Sequence, residues 1–406
     1  MIELSDDQKK IVQEVGLWYA QFNAGIPVPQ YITIGGYAGT GKTSLVPEIK
    51  KIVEQINGGE FFSAALVAFT GKASSVIRDK FGGNISSADH VGTIHSLIYR
   101  PVFEFDDTVK KKVITGWKRN NYISEDIIII DEASMVSKPV WDDLLSFGIP
   151  IVAIGDHGQL PPVSKNKFNL MDKPNLKLTN IHRQALNSPI ISLSQQVRRT
   201  GIIPHGIHSN TVFKLRWDDP QCQRIWNQIN FDTDVIVLCG MNSTRTALNK
   251  SIRDSLGYSN PNPYPGERVI CLKNNHNSGI MNGQLGSLMW LTHLNREIYK
   301  MTVEMDGGEI YSTASHKCCF GEEKYETMWE MYPTPKRIII SLKRGGFKSL
   351  DFFDFGYTIS VHRSQGSEWD KVVLFEERSN HWDDEFYQRW LYTGVTRAKH
   401  KLFIIG

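Results

Sequence analysis

The chain has 406 residues, more than one hydrophobic core usually serves, so two domains of comparable size with insertions are expected. Its composition is that of an ordinary globular protein, and a formal charge of +3 neither requires nor excludes a polyanionic partner, because a local groove matters more than the sum. Five cysteines, odd in number and without a C-x-x-C pair, argue against a disulfide framework and fit a reducing compartment. Met1–Asp7 lacks the basic and apolar parts of a signal peptide, and no apolar run is long enough to span a bilayer. A soluble cytoplasmic protein with no membrane partner is expected.

Taken in order, Ser5-Asp6-Asp7-Gln8 opens a helix patterned on Ile11, Val12, Val15 and Trp18. Gln8 is then either a solvated surface residue or an amide that reads the edge of adenine with paired donor and acceptor. The apolar run Tyr31–Ile34 leads into Gly36-Tyr37-Ala38-Gly39-Thr40-Gly41-Lys42-Thr43, followed by a helical segment from Ser44. Glycines Gly36, Gly39 and Gly41 let the backbone, including Thr40, turn its N–H groups inward, and the next helix aims its positive end at the same point. Lys42 is suited to the terminal phosphates and the Thr43 hydroxyl to Mg²⁺, so this loop asks for a nucleoside triphosphate such as ATP.

Ala64–Phe69 reads as a buried parallel strand, and Thr70 and Lys72 at its carboxyl end are placed where ligands bind in open α/β sheets. Thr93-Ile94-His95-Ser96 ends the next unit in a similar position. Between Pro101 and Asn121, alternating segments around Asp106-Asp107 predict an inserted β-hairpin, basic and interleaved with Phe103, Phe105 and Trp117. Such a hairpin suits a nucleic-acid contact, or an exposed element kept soluble by lysines.

Ile127–Ile130 predicts a central strand that runs into Asp131-Glu132. Two acids there are unfavourable unless they meet a cation or do chemistry: Asp131 is assigned to the metal's shell and Glu132 to taking a proton from the attacking water. Ile151–Gly155 predicts another buried strand, followed by Gln159, placed to touch the γ-phosphate, and by Pro161. Leu178–Gln184 closes the first half with Arg183, a charge expected to reach the triphosphate.

The second half repeats the α/β logic without a phosphate loop. Asp234–Cys239 is a strand with Asn242 and Arg245 at its end. From about Glu267 to Phe347, short strands divided by turn residues, among them Arg337–Ile340, predict a small inserted barrel. Then follow Asp354–Glu368, a strand at Lys371–Phe375, Tyr392–Lys399 and a final strand. If Arg183 and Arg397 face the γ-phosphate from opposite sides, they stabilise transition-state charge as arginine fingers.

This series of motifs resembles a superfamily 1 helicase, within it the superfamily 1B group of RecD and Dda. The resemblance runs from Gln8 (Q motif) through Gly36–Thr43, Phe69–Ala73, Thr93–Ser96, Asp131–Ser134, Gly155–Pro162 and Arg183 to Asp354–Glu368 and Tyr392–Lys399. It implies an α/β fold of two RecA-like P-loop domains, residues 1–184 and 185–406, with a hairpin insert at 100–122 acting as a pin and an SH3-like β-barrel insert at 268–349. ATP with Mg²⁺ would sit between the domains, with Gln8 on adenine and Glu368 on the ribose. Single-stranded DNA would cross Thr70, Lys72, His95, Pro161, Asn242, His362, Ser364 and Gln365, with Phe103, Phe105 or Trp117 as the wedge. The group's activity is 5′-to-3′ translocation on single-stranded DNA with unwinding of forked or tailed duplex in replication, recombination or repair. A monomer working in a bacterial cell or phage-infected host, beside a single-strand-binding protein or replisome component, completes the expectation. The alternatives are an RNA helicase, a translocase that does not unwind, and a recombination mediator that uses ATP as a switch.

Overall fold

The computed structural model describes residues 4–58, 61–81, 85–106, 111–162, 168–181, 187–231, 235–273, 280, 282–306, 308–321, 336–347 and 350–406. The first sheet is wholly parallel, in the order β3-β2-β6-β7-β1-β8. Its strands are β1 (Tyr31–Gly36), β2 (Ala64–Ala68), β3 (His90–Thr93), β6 (Ile127–Asp131), β7 (Ile151–Gly155) and β8 (Leu176–Leu178). The four isoleucines of β6 show why a continuous apolar run belongs in such a strand. Ile127 and Ile129 pack on the face covered by the helices Asp6–Asn23 and Leu45–Ile56, while Ile128 and Ile130 pack on the other face with Trp141 and Leu144. Both faces are buried, so all four of these positions call for apolar side chains.

The second sheet runs β17-β11-β18-β19-β10-β9, parallel except for the last pair. Its strands are β9 (Gly206–Ile207), β10 (Val212–Leu215), β11 (Val235–Cys239), β17 (Thr358–Ser360), β18 (Trp369–Phe375) and β19 (Ala398–Ile405). Helices Pro189–Thr200 and Asp384–Val395 cover one face, where Ile190, Leu193, Trp390 and Leu391 share a core with Leu160 of the first half.

The opposite face of the second sheet packs on a five-stranded antiparallel sheet, ordered β15-β14-β13-β12-β16. Its strands are β12 (Arg268–Cys271), β13 (Leu285–His293), β14 (Ile298–Met305), β15 (Ile310–His316) and β16 (Phe353–Phe355). The expected strand at Arg337–Ile340 is instead part of the helix Lys336–Gly345. Ile338 and Leu342, four residues apart, are both buried while Ile340 is exposed, so the local β-branched run yields to a helical period once it has a surface to pack on. β4 (Tyr99–Asp106) and β5 (Lys111–Arg119) form a separate antiparallel pair, from Tyr99 opposite Arg119 to Asp106 opposite Lys111.

A buried ion pair ties the antiparallel sheet to the helix that follows β11. Arg245, on the helix Asn242–Ser255, binds Asp354 of β16, and both are almost wholly inaccessible. The other Asp354 oxygen accepts the N–H groups of Gly321 (2.8 Å) and Phe355 (2.7 Å). Truncating one member of such a pair strands the other charge in the core. Asp354→Ala is therefore expected to cost about 3–5 kcal/mol, seen as a lower denaturation midpoint at unchanged pH.

Candidate functional site

The carboxyl ends of β1, β6 and β7 converge on the loop that follows β1. Gly36 allows the loop to fold back, since a Cβ there would lie 2.5 Å from Thr40 Oγ1. Gly39 and Gly41 hold φ of +81° and +75°, a left-handed backbone open to glycine. Thr40 is buried and its hydroxyl donates to the Tyr37 carbonyl at 2.8 Å. A short 3₁₀ turn, Lys42–Ser44, then feeds the helix Leu45–Ile56. Lys42 Nζ lies 3.0 Å from Tyr37 O and 3.5 Å from Asp156 Oδ2.

Thr43 hydrogen-bonds Asp131, and the Asp131 carboxylate also accepts the Glu132 N–H at 2.9 Å. Burial raises the Asp131 pKa. A hydroxyl and a carboxylate together form the hard oxygen set that Mg²⁺ takes, so these two residues fit that ion. Glu132 has a left-handed backbone, φ +55°, which turns its side chain off the end of β6. Burial and the neighbouring Asp131 push its pKa up to about 7, against the pull of Lys42 and Arg397. Its Oε2 is buried with no hydrogen-bond partner among the described residues. Gln159 Oε1 is likewise buried and unpartnered. Orphaned acceptors of this kind are expected where a ligand or water supplies the missing donor.

Arg397 lies close enough to act on Glu132, but its guanidinium is engaged locally: Nε with Thr393 O at 3.0 Å, Nη1 with Ser367 O at 3.1 Å, Nη2 with Thr396 Oγ1 at 3.1 Å. Glu368, exposed, sits beside it, between Ser367 and Trp369. Arg183 lies outside the described residues. The preceding Thr179 and Ile181 line a cleft of about 380 Å³ shared with Tyr37, His157, Gln195 and Arg198. Gln8 departs from the adenine-reading expectation. It is 1% exposed, its Oε1 accepts the Ser5 N–H at 3.0 Å, and its Nε2 lies 3.4 Å from the carbonyls of Thr40 and Gly41. Its amide braces the phosphate loop.

The residues expected on the strand path divide into two groups. Thr70 and His95 are half-buried at the edge of the first sheet, His95 with its ring near Phe69 and Tyr99. Thr70 meets the second half directly, since a Cβ on Gly366 would lie 3.0 Å from its Oγ1. Pro161 is half-buried, Asn242 is exposed at its helix start, and His362 rests against Phe386 with burial lowering its pKa. Ser364 and Gln365 correct the expectation. Ser364 is wholly buried with its hydroxyl on Val361 O (2.7 Å), and Gln365 is 4% exposed with Nε2 on Leu160 O (2.8 Å). Their polar groups fasten protein to protein. The side chains of Lys72, Phe103, Phe105 and Trp117 lie outside the described residues, although the backbone pairs Phe103 with Ile114, Phe105 with Lys112 and Trp117 with Pro101.

Several residues of the site escaped sequence reasoning. Asp156 terminates β7 as Asp131 terminates β6, an acid after a buried apolar run, and that parallel was the available signal. The helix Asp384–Val395 contributes Arg389 to His157 O (3.0 Å), Tyr392 to Asp156 and Ala38, and Thr393 Oγ1 to the Leu160 N–H (3.0 Å). Positions 389, 392 and 393 share one helical face, and the whole face is docked on the segment Asp156–Leu160.

Residues 21–210 match the AAA domain model and residues 355–405 the UvrD-like helicase C-terminal domain. Nearly the full length is similar to three curated helicases. Dda of Enterobacteria phage T4 is 25% identical over 92% of this chain and 94% of its own. Pif1 of Campylobacter jejuni is 24% identical over 90% and 86%. The ATP-dependent RecD2 DNA helicase of Deinococcus radiodurans is 24% identical over 92% of this chain, which spans 47% of that protein. Along nearly its whole length the chain is similar to helicases of the superfamily 1B group. Bacteroides Pif1 bound to single-stranded DNA has the same fold, with a TM-score of 0.53 at 18% identity over 100% of this chain and 92% of that one.

A carboxylate can take a proton from water only when it is deprotonated, and burial with the neighbouring Asp131 pushes the Glu132 pKa up to about 7. ATP turnover is expected to fall as pH drops through 7. Glu132→Gln is expected to lower kcat by about 10²–10⁴-fold and remove that limb of the pH profile, while a fluorescent ATP analogue still binds.

Proposed function

We propose that this chain is a motor that moves 5′ to 3′ along single-stranded DNA and opens the duplex ahead of it, one ATP at a time. The observation that carries the reading is the grip on Leu160. Its N–H is taken by Thr393 and its carbonyl by Gln365, both from the second half, while Gln159 on one side belongs to the nucleotide site and Pro161 on the other to the strand path. A segment of the first half held at both backbone groups by the second half is where hydrolysis and strand movement would meet.

In this reading residues 1–184 and 185–406 are the two RecA-like domains. Lys42 holds the β- and γ-phosphates, and Thr43 with Asp131 would hold Mg²⁺, which when bound neutralises phosphate charge. Glu132 accepts a proton from the attacking water as that water's oxygen bonds to the γ-phosphorus and the β–γ bridging bond breaks. Gln159 positions the γ-phosphoryl group, and Arg183 with Arg397 stabilises the charge that develops on it. Arg397 must first exchange part of its contacts with Ser367 and Thr396, which ties its arrival to movement of the second half. Glu368 is placed for the ribose. Thr70, Lys72, His95, Pro161, Asn242 and His362 follow the strand.

The β4–β5 hairpin, which begins one residue before the 100–122 insert, is the proposed pin, and strands β12 to β15 within 268–349, closed on one side by β16 beyond it, are the proposed SH3-like insert. Solved Pif1 structures bound to single-stranded and forked DNA support strands of both kinds as partners. A monomer acting in the cytoplasm beside a single-strand-binding protein or replisome component fits this role.

The test measures ATP turnover with single-stranded DNA, single-stranded RNA and 5′- or 3′-tailed duplexes, beside Lys42→Ala. Stimulation of at least about tenfold by DNA, unwinding only from the 5′ tail, and loss of both in the variant are expected, since the phosphate loop supplies the binding charge. Turnover indifferent to every strand overturns the motor reading in favour of an ATP switch, and preference for RNA redirects it to an RNA helicase.

A further inference from the structure

The phenol of Tyr392 is the meeting point of both halves at the nucleotide site. Its oxygen accepts the Ala38 N–H of the phosphate loop at 2.8 Å and donates to Asp156 Oδ2 at 2.8 Å. The same Asp156 oxygen lies 3.5 Å from Lys42 Nζ. Tyr392 is 1% exposed, its ring edge-on to Tyr37 and close against Gly158. A phenylalanine would fill that space equally well without burying a hydroxyl, which is unfavourable when left unbonded. The hydroxyl is therefore the part that needs a reason.

We propose that Tyr392 is a positioning residue that relays the engagement of Lys42 to the strand-facing segment, an inference that rests on the motor reading above. Lys42 has two claims on its ammonium, Asp156 and the phosphates of a bound triphosphate. When phosphate oxygens draw Lys42 away, the Asp156 carboxylate loses its cation and leans on its remaining donors, Tyr392 and the Gly158 N–H at 2.9 Å. A tightened Asp156–Tyr392 bond pulls on the helix turn that also carries Thr393, whose hydroxyl holds the Leu160 N–H. Leu160 precedes Pro161 on the strand path. The relay runs Lys42, Asp156, Tyr392, Thr393, Leu160 and crosses between the halves twice, at the Tyr392 and Thr393 hydroxyls.

The readout is the ratio of single-stranded DNA affinities with and without a saturating non-hydrolysable ATP analogue, a thermodynamic coupling factor that typically lies between about 5 and 150. The wild-type factor is expected near tenfold, falling to within about twofold of unity in Tyr392→Phe. Thr393→Val, which keeps the phenol bridge and loses the bond to Leu160, is expected to lower it as well. An unchanged factor in both variants overturns the relay. So does an equal loss of DNA affinity in both nucleotide states at constant factor, the signature of a purely structural role. A wild-type protein that binds no strand, or whose strand affinity ignores the nucleotide, removes the motor reading and the relay together.

Discussion

A lysine ammonium set among strand ends has few ways to be satisfied, and Lys42 depends on two: a backbone carbonyl of its own loop and the carboxylate of Asp156. That constraint orders the site. The carboxylate is buried at the end of β7, so it in turn requires donors, and these come from Gly158 in the same loop and from Tyr392 across the interface. The acidic pair at the end of β6 faces the same cation. Burial and mutual repulsion lift the Glu132 pKa toward neutrality while Lys42 and Arg397 oppose the rise. One ammonium thus balances two strand ends, and the distribution of its charge between them and a phosphate ligand sets the state of all three.

The reach of the second half into the first is concentrated on five residues, Asp156–Leu160. Arg389, Tyr392 and Thr393 address them from one helix, and Gln365 closes the set from the loop after β17. None of these contacts is a surface ion pair of the kind that solvent and salt erase. They are hydrogen bonds with buried acceptors or donors, where a lost partner costs more than a made bond gains. A cleft held this way has discrete arrangements, which suits an enzyme that must pass between defined states.

Much of the fold was legible in the chain. The parallel strands were marked by apolar runs such as Ile127–Ile130 and Val235–Cys239, because burial on both faces leaves no polar positions. The phosphate loop was marked by glycines whose backbone geometry no other residue supplies. Arg337–Ile340 misled because a run of only three β-branched side chains cannot report whether a sheet or a helix packing surface awaits it. Gln8, Ser364 and Gln365 were read as ligand-facing because a polar residue in a motif looks the same whether its partner is a ligand or a carbonyl elsewhere in the fold. Tyr392 and Asp156 were missed for the converse reason: their partners lie more than two hundred residues apart, and no local pattern joins them.

The Arg245–Asp354 pair has a mechanical side. It fixes β16 of the antiparallel sheet to the helix after β11, while β16 continues through Gly356 into β17 and the turn ending at Gly366, which abuts Thr70. The antiparallel sheet therefore has no hinge of its own between its last strand and the interface. A sideways load on that sheet, such as a duplex pressing against it, would be delivered as displacement at Gly366 and Thr70. Resistance met at the surface of that sheet would thus be felt first at the contact between the halves, not in the sheet itself.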